Sequence, residues 1–388
     1  MRFFHLSDLH IGKQLHYYNL KEEQQAVLLQ IVRRVEEYRP DAVLICGDIF
    51  DRAVPSGDSY TVFDRFLQEL SDITPSIPVM IIAGNHDNAR RLNYASSFLE
   101  KQQIYLSVSP PTQSEEHLRK VVLQDQYGEV DFYFLPFIKP GYVRHLFADG
   151  EVTDYESAVR EILNREDIDY SRRNVLLSHQ FYTNKGQAPE RCDSEQAVIS
   201  VGGLEDVDVS VIEQFDYVAL GHIHGGQTVK LPHIRYCGTP LKYSVSEERH
   251  KKSITMVTLG PKGAEALIET IPLAPTREVR KERGTLREVI ARADEDNRHD
   301  FVSVILTDEK EPYHPREQLE EVYDYILEVR IDNTRTRNRM KEQPSGEISM
   351  RPMELFQSFY QEMQGQPMSL EEELLLERIL DEGKGDAG

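Results

Sequence analysis

Apolar runs alternate with amphipathic stretches through the first half of the chain. Arg2–Leu6 predicts a strand. Ala42–Cys46 (AVLIC) and Val79–Ala83 (VMIIA) are apolar at every position, as a strand covered on both faces must be. Leu20–Tyr38 instead spaces Ala26, Val27, Ile31 and Val35 at the helical period and stops before Pro40. Tyr60–Leu70 predicts a second helix. Val121–Gln124 and Asp131–Leu135 flank Tyr127-Gly128 as a hairpin. Val175–Leu177 and Tyr217–Leu220 predict two further buried strands, and Ile234–Cys237, Ile254–Leu259 and Ala266–Ile271 a run of antiparallel ones. This excess of strands favours a two-sheet sandwich flanked by helices over a simple doubly wound sheet.

The pattern changes at Pro272 and Pro275, where Arg277–Arg283 predicts a charged linker. A helix at Leu286–Ala291, a strand at Phe301–Leu306, a helix at Pro315–Tyr325 and a strand at Ile326–Ile331 then make a small α/β module. Arg330, Arg335, Arg337, Arg339 and Lys341 against Asp332 give a local charge of +4, and Pro344-Ser345-Gly346 reads as a hinge. Two amphipathic helices follow. Leu355, Phe356, Phe359, Tyr360 and Met363 line one face of the first. Ser369 and Glu372 cap the second, whose stripe is Leu374, Leu375, Ile379 and Leu380. The expected segments are 1–275, 276–341 and 342–388.

Composition narrows the function. With 45 basic and 66 acidic residues the formal charge is −21, which excludes a protein that coats nucleic acid or anionic membrane through bulk charge. A polyanionic substrate must be met by local cations, bound metal or a partner. Three scattered cysteines (Cys46, Cys192, Cys237) provide neither a disulfide framework nor a zinc-finger spacing. The opening residues form no signal-peptide core, and no apolar run reaches membrane-spanning length, so a cytoplasmic location with no membrane partner is expected.

Five motifs lie just past the ends of predicted strands: Asp8-Leu9-His10, Gly47-Asp48-Ile49-Phe50-Asp51, Gly84-Asn85-His86-Asp87, Ser178-His179 and Gly221-His222-Ile223-His224. Strand C-termini share one edge of a sheet, so motifs far apart in sequence can meet in one crevice. Any one of these histidines alone reads as a buried core residue; five blocks at five strand ends do not. Asp8, His10, Asp48, Asn85, His179, His222 and His224 supply seven nitrogen and oxygen donors, too many for one tetrahedral zinc and suited to two ions of higher coordination number. Imidazoles disfavour Mg²⁺ and Ca²⁺, and the absence of thiolate ligands favours Mn²⁺ over Fe or Zn²⁺. A carboxylate such as Asp48 can bridge such a pair. His86 stands beside a donor as a candidate catalytic acid, oriented by Asp51, and His16 is close enough to the first motif to touch substrate.

The five blocks resemble the signature of the calcineurin-like metallophosphoesterases, D-x-H, G-D-x-x-D, G-N-H-D/E, H and G-H-x-H, intact between residues 8 and 224. The resemblance implies an α/β fold: a four-layered α-β-β-α sandwich, here with a small α/β capping domain and C-terminal helices. It places Asp8, His10, Asp48 and His224 on one metal, and Asp48, Asn85, His179 and His222 on the other. His86 becomes the catalytic histidine. The opening FHLSDLHIG, Gly-Asp-Ile-Phe-Asp-Arg, Gly202-Gly203-Leu204 and Gly238-Thr239-Pro240 further resemble the SbcD-type nuclease subunits of bacterial DNA-processing complexes. That likeness implies Mn²⁺-dependent double-strand exonuclease and single-strand or hairpin endonuclease action. It also implies a homodimer inside a 2:2 heterotetramer with an SbcC-type coiled-coil ATPase. The dimer would form through helices around Tyr60–Leu70 and Tyr94–Glu100. Arg335, Arg337 and Arg339 are candidate DNA contacts. Leu355, Phe356, Phe359, Tyr360, Leu375 and Ile379 are candidate partner contacts. A stand-alone phosphatase on the same fold would need neither cap nor tail.

Overall fold

The computed structural model describes residues 1–195 and 205–337, with Met353, Phe356, Gln357, Tyr360, Met368, Ser369, Glu372, Glu373, Leu375 and Leu376 beyond them. The strands of the body, in chain order, are β1 (Arg2–Leu6), β2 (Ala42–Cys46), β3 (Val79–Ile82), β4 (Ile104–Ser107), β5 (Arg119–Asp125), β6 (Gly128–Leu135), β7 (Arg173–His179), β8 (Tyr217–Gly221), β9 (Gln227–Val229), β10 (Leu231–Tyr236), β11 (Ser253–Thr258) and β12 (Leu267–Pro272). They form two six-stranded sheets, ordered β12-β11-β1-β2-β3-β4 and β9-β10-β8-β7-β6-β5.

In the first sheet β1, β2, β3 and β4 run parallel, and β11 joins β1 antiparallel in the register Phe3↔Val257. In the second, β6, β7, β8 and β10 run parallel, with Gly221 level with His179. All the motif-bearing strands therefore end at the same side of their sheets.

The apolar pattern explains the layering. One face of the first sheet buries Phe4, Leu6, Val43, Ile45, Val79 and Ile81 under the helices α1 (Lys21–Tyr38) and α2 (Gly57–Ser71). The opposite face packs Phe3, Leu44, Cys46 and Met80 against Phe132, Phe134, Val175 and Ala219 of the second sheet. The outer face of the second sheet is covered by α3 (Tyr155–Asn164) through Val159 and Ile162. The layers run helix, sheet, sheet, helix, as expected. Strands apolar at successive positions are what a layer buried on both faces requires.

Several expectations need correction. The run from Ile234 to Ile271 does not continue as one antiparallel set: β10 lies parallel to β8 in the second sheet, while β11 and β12 cross to the first. The stretch Arg277–Arg283 is largely strand, not linker: Val279–Gly284 (β13) pairs in parallel with Phe301–Leu306 (β14), beside Tyr325–Ile331 (β15). Its inward Val279 is buried while its charged residues point outward, so the pattern resembled a solvated segment. The helix expected at Pro315–Tyr325 ends at Glu320.

Two compact units result: Met1–Leu306 with Pro312–Arg330, and Thr307–Glu311 with Ile331 onward. In the first, Lys242 Nζ meets Glu278 Oε1 at 2.5 Å and the Tyr17 hydroxyl donates to the Ile326 carbonyl at 2.5 Å, joining the small sheet to the body. In the second, Asn333 Nδ2 donates to the Asp308 carbonyl and Thr334 Oγ1 to Glu309 Oε1.

Candidate metal centre

The seven expected donors meet where the C-terminal edges of the two sheets face each other. Asp8 and His10 follow β1, Asp48 follows β2 and Asn85 follows β3; His179 ends β7, and His222 and His224 follow β8. Each sheet contributes only part of the set. Gly221 allows the approach: a Cβ there would stand 1.8 Å from the Cys46 carbonyl oxygen at the end of β2. Asp8, His10, Asp48 and His222 adopt φ of +54°, +43°, +49° and +102°. Such left-handed backbone costs on the order of 1–3 kcal/mol per residue, and sites that bind or react are where folds retain it.

The donors fall into two groups that share Asp48. His10 Nε2 lies 3.1 Å from His224 Nε2 and 3.6 Å from Asp48 Oδ2. Asp8 joins His10 and His224 with ligand atoms within 4.8 Å of one another. On the other side, His179 Nε2 lies 3.5 Å from Asp48 Oδ2 and 3.1 Å from Asn85 Oδ1, which is 2.9 Å from His222 Nδ1.

This chemistry suits divalent cations. Burial pushes His10 and His222 down to about 3 and His224 well below its ordinary range, so these rings present lone pairs rather than charge. Burial also pushes Asp48 up, but His179, His10 and His86 outweigh it and hold the carboxyl well below the carboxylate range. Asp8 is raised to about 7, by burial first and with Asp48 adding to it. Burial opposes the His179 cation, yet Asp48 and Asp8 raise that ring to about 9. His10 Nδ1 is buried without a hydrogen-bond partner. Nitrogen and oxygen donors crowded at these distances with no thiolate fit two ions of the Mn²⁺, Fe or Zn²⁺ type.

His86 is the more open member, its side chain 38% exposed. Its ring Nδ1 donates to the main-chain carbonyl of Asp51 at 2.8 Å, leaving Nε2 on the donor side, 3.9 Å from Asp48 Oδ2. Asp51 thus orients His86 through its carbonyl; its carboxylate is taken by Lys13 Nζ at 2.8 Å.

Other residues of the site carry weaker sequence signals. Asp87 accepts from the backbone N–H groups of Gly84, Ile49 and Phe50 at 2.9–3.1 Å, tying the loops that carry Asn85 and Asp48 together. Its place closing the Gly-Asn-His-Asp block was the available clue. Tyr243 packs its ring 5.7 Å from His10 and 6.3 Å from His224, with nothing local to mark it.

The profile of the family described as calcineurin-like phosphoesterase matches residues 1–226. A second, described as type 5 capsule protein repressor C-terminal domain, matches residues 275–364. The SbcD subunit of the nuclease SbcCD from Staphylococcus epidermidis is 30% identical over 331 residues, covering 84% of each chain. The chain belongs to the SbcD family of calcineurin-like phosphoesterases. Another SbcD relative of the same description, from Staphylococcus saprophyticus, is 30% identical over 75% of this chain and 73% of its own. A dimetal phosphatase from Danio rerio aligns loosely, at TM-score 0.38 and 13% identity, over 70% of this chain and 98% of its own.

The remaining candidates of this SbcD-family chain are placed as follows. Arg335 is exposed, and Arg337 Nε pairs with Asp332 Oδ1 at 2.7 Å, which offsets part of the local positive charge. Phe356 and Leu375 are about half exposed, and the Tyr360 hydroxyl donates to Glu372 Oε1 at 2.6 Å. Arg339, Leu355, Phe359 and Ile379, the Pro344-Ser345-Gly346 stretch and Gly202-Gly203-Leu204 lie outside the described residues. His16 is an exposed residue of the loop that follows the first motif.

Proposed function

We propose that this chain is the DNA-cleaving component of an SbcC–SbcD-type complex and hydrolyses phosphodiester bonds with two divalent ions, Mn²⁺ in the native enzyme. The observation that carries this reading is the pair of donor groups sharing Asp48. Asp8, His10, Asp48 and His224 would hold one ion; Asp48, Asn85, His179 and His222 would hold the other. Bound ions supply Lewis acidity toward a phosphoryl oxygen and a water nucleophile.

The chain's own residues do the rest. The ligand loops fix the spacing of the pair and exclude water from its buried side. His86, with Nδ1–H committed to the Asp51 carbonyl at 2.8 Å, presents Nε2 toward the centre and, when that atom is protonated, passes the proton to the departing oxygen. Lys13 and Asp51 form a half-buried ion pair beside His10 and hold this edge of the pocket in place.

The names of the relatives support DNA as substrate and an SbcC-type coiled-coil ATPase as partner. We assign double-strand exonuclease and hairpin endonuclease activity, a cap spanning 276–341 that recognises DNA with Arg335, Arg337 and Arg339, and a partner-binding segment at 342–388. We also assign a homodimer within a 2:2 assembly and a cytoplasmic location. Among the described residues no helix is long and apolar enough to cross a membrane.

The test is Mn²⁺-dependent cleavage of a hairpin-ended duplex, with and without the ATPase and ATP. The wild-type chain should cut, and Asp48→Asn should be inactive while keeping its fold. Normal cleavage by Asp48→Asn, or activity confined to small phosphate esters, would overturn the reading. Removing residues 352–380 should abolish association with the ATPase and leave basal cleavage intact.

A further inference from the structure

Behind His224, on the side facing away from the other donors, lies a buried ion pair. Glu247 has no exposed surface and Lys252 is 8% exposed. The Lys252 ammonium donates to Glu247 Oε2 at 2.5 Å, to Thr239 Oγ1 at 2.6 Å and to the His224 carbonyl at 3.0 Å, using all three of its hydrogens. Glu247 Oε1 accepts from the Ser194 hydroxyl at 2.6 Å, the Tyr243 N–H at 3.0 Å and the Ser244 hydroxyl at 3.0 Å. The Ser194 oxygen in turn lies 2.7 Å from His224 Nδ1. Glu195 Oε1 accepts the His224 backbone N–H at 2.6 Å. One cluster therefore grips His224 at its N–H, its carbonyl and its outer ring nitrogen.

The direction of the hydrogen bonds follows from the chemistry. Burial raises the Glu247 carboxyl, but Lys252 and the hydroxyl and amide donors outweigh it, so Glu247 is an acceptor. Ser194 must then donate its only proton to Glu247, and its lone pair is left to receive Nδ1–H. His224 is fixed as the tautomer with Nδ1–H, and Nε2 carries the lone pair that faces His10 Nε2 at 3.1 Å. The arrangement is a carboxylate–hydroxyl–imidazole chain of the kind that raises the basicity of a ligating ring.

The other ligand rings are treated differently. His179 Nδ1 meets the main-chain carbonyl of Cys46 at 2.7 Å, and His222 turns Nδ1 inward to Asn85. Cys192 and His250 lie beside Glu247 and could suggest a separate metal site, with Sγ 3.9 Å from the His250 Nδ1. Both oxygens of Glu247 are already filled by the donors named above, which makes it an anchor instead of a ligand.

We propose that Ser194 and Glu247 are positioning residues for one of the two metal sites: they fix the tautomer and basicity of His224, so that the affinity of that ion alone depends on a hydroxyl outside the ligand set. This rests on the two-metal reading above. Nothing in the five sequence blocks includes Ser194, Glu247 or Lys252.

The experiment is a Mn²⁺ titration of the full chain by calorimetry, with electron paramagnetic resonance to separate isolated ions from exchange-coupled pairs. Wild type should bind two ions and show the coupled signal. Ser194→Ala should bind one ion as wild type and the second about 10–100-fold more weakly, the range for loss of such an outer partner, with isolated-ion signal at stoichiometric metal. Ser194→Thr, which restores the hydroxyl, should recover the coupled pair. The metal-free melting temperature of Ser194→Ala should match wild type. Glu247→Gln should weaken the same ion, and Ser194→Ala keeps the test intact if that variant does not fold. Two-ion binding by Ser194→Ala indistinguishable from wild type, or a fall in metal-free melting with binding unchanged, overturns the proposal. Failure of wild type to bind two ions overturns the metal reading, and the proposal with it.

Discussion

Gly221→Ala tests whether the close approach of the two sheets builds the centre. The added Cβ would lie 1.8 Å from the Cys46 carbonyl oxygen and 2.7 Å from His179 Nδ1. Real Cβ contacts do not fall below 3.0 Å, so β2 and β8 must separate by about 1.2 Å at this point. The clash is with main chain at the end of a buried strand, which no rotamer change relieves. Overpacking of this kind costs about 1–3 kcal/mol. The 2.7 Å bond between His179 Nδ1 and the Cys46 carbonyl occupies the same space. Its loss adds about 0.5–1.5 kcal/mol.

The chemical effect should be larger than the thermal one. Asp48 and Asn85 move with the first sheet and His179, His222 and His224 with the second, so an opening on the order of 1 Å spreads the donor set. Misplacement of that size can reduce turnover about 10²-fold. Denaturant melts of the metal-free protein, Mn²⁺ titration and hydrolysis of a nitrophenyl phosphodiester measure the three effects. Gly57→Ala, at the start of α2 with no atom within 4 Å of the new Cβ, is the control. Wild-type melting and undiminished two-ion binding in Gly221→Ala would refute the reasoning.

His86→Gln should keep both ions in a Mn²⁺ titration and lose about 10²–10⁴-fold in single-turnover cleavage; unchanged turnover would remove His86 from the reaction. Asp87→Ala strands three backbone N–H donors and should lower stability in urea by about 2–3 kcal/mol, together with metal affinity; a neutral result would show that the loops hold without it. Asp125 meets the nearly buried guanidinium of Arg173 through both carboxylate oxygens, at 2.5 and 3.0 Å. Asp125→Asn should cost about 3 kcal/mol by leaving that charge uncompensated. Arg173 and the amino terminus hold the Asp125 carboxyl below its usual range, so ionised Asp125 stabilises the fold at neutral pH. That contribution disappears as pH falls from about 3.8 through the lower folded value, and the acid limb of a stability-against-pH curve should flatten in the variant.

The layered architecture was legible because its strands are apolar at successive positions and its motifs follow them directly. Ala42–Cys46 and Val79–Ile82 could be placed from composition alone. What could not be read was partition between sheets: β10 and β11 are similar apolar runs, and only tertiary pairing sends one to each sheet. The edge strand Val279–Gly284 was hidden because charged residues cover its solvated positions. At the centre, the donors were visible as types at strand ends. The supports were not: Asp87, Ser194, Glu247 and Lys252 act through side-chain hydrogen bonds that leave no spacing signal. His86 shows the same limit, since its partner is a carbonyl that every residue possesses.

The division of the donors between the two sheets also sets when cleavage competence can arise. Asp8 and His10 are among the first residues synthesised, yet β1 gains its second neighbour in the first sheet only when Ser253–Thr258 has been made. His224 and the Glu247–Lys252 pair behind it also come late in the chain. A nascent polypeptide therefore holds an incomplete set of donors for most of its synthesis. Hydrolytic capacity appears in one step near completion of the body, so premature chains and degradation fragments lacking either sheet are harmless to nucleic acid.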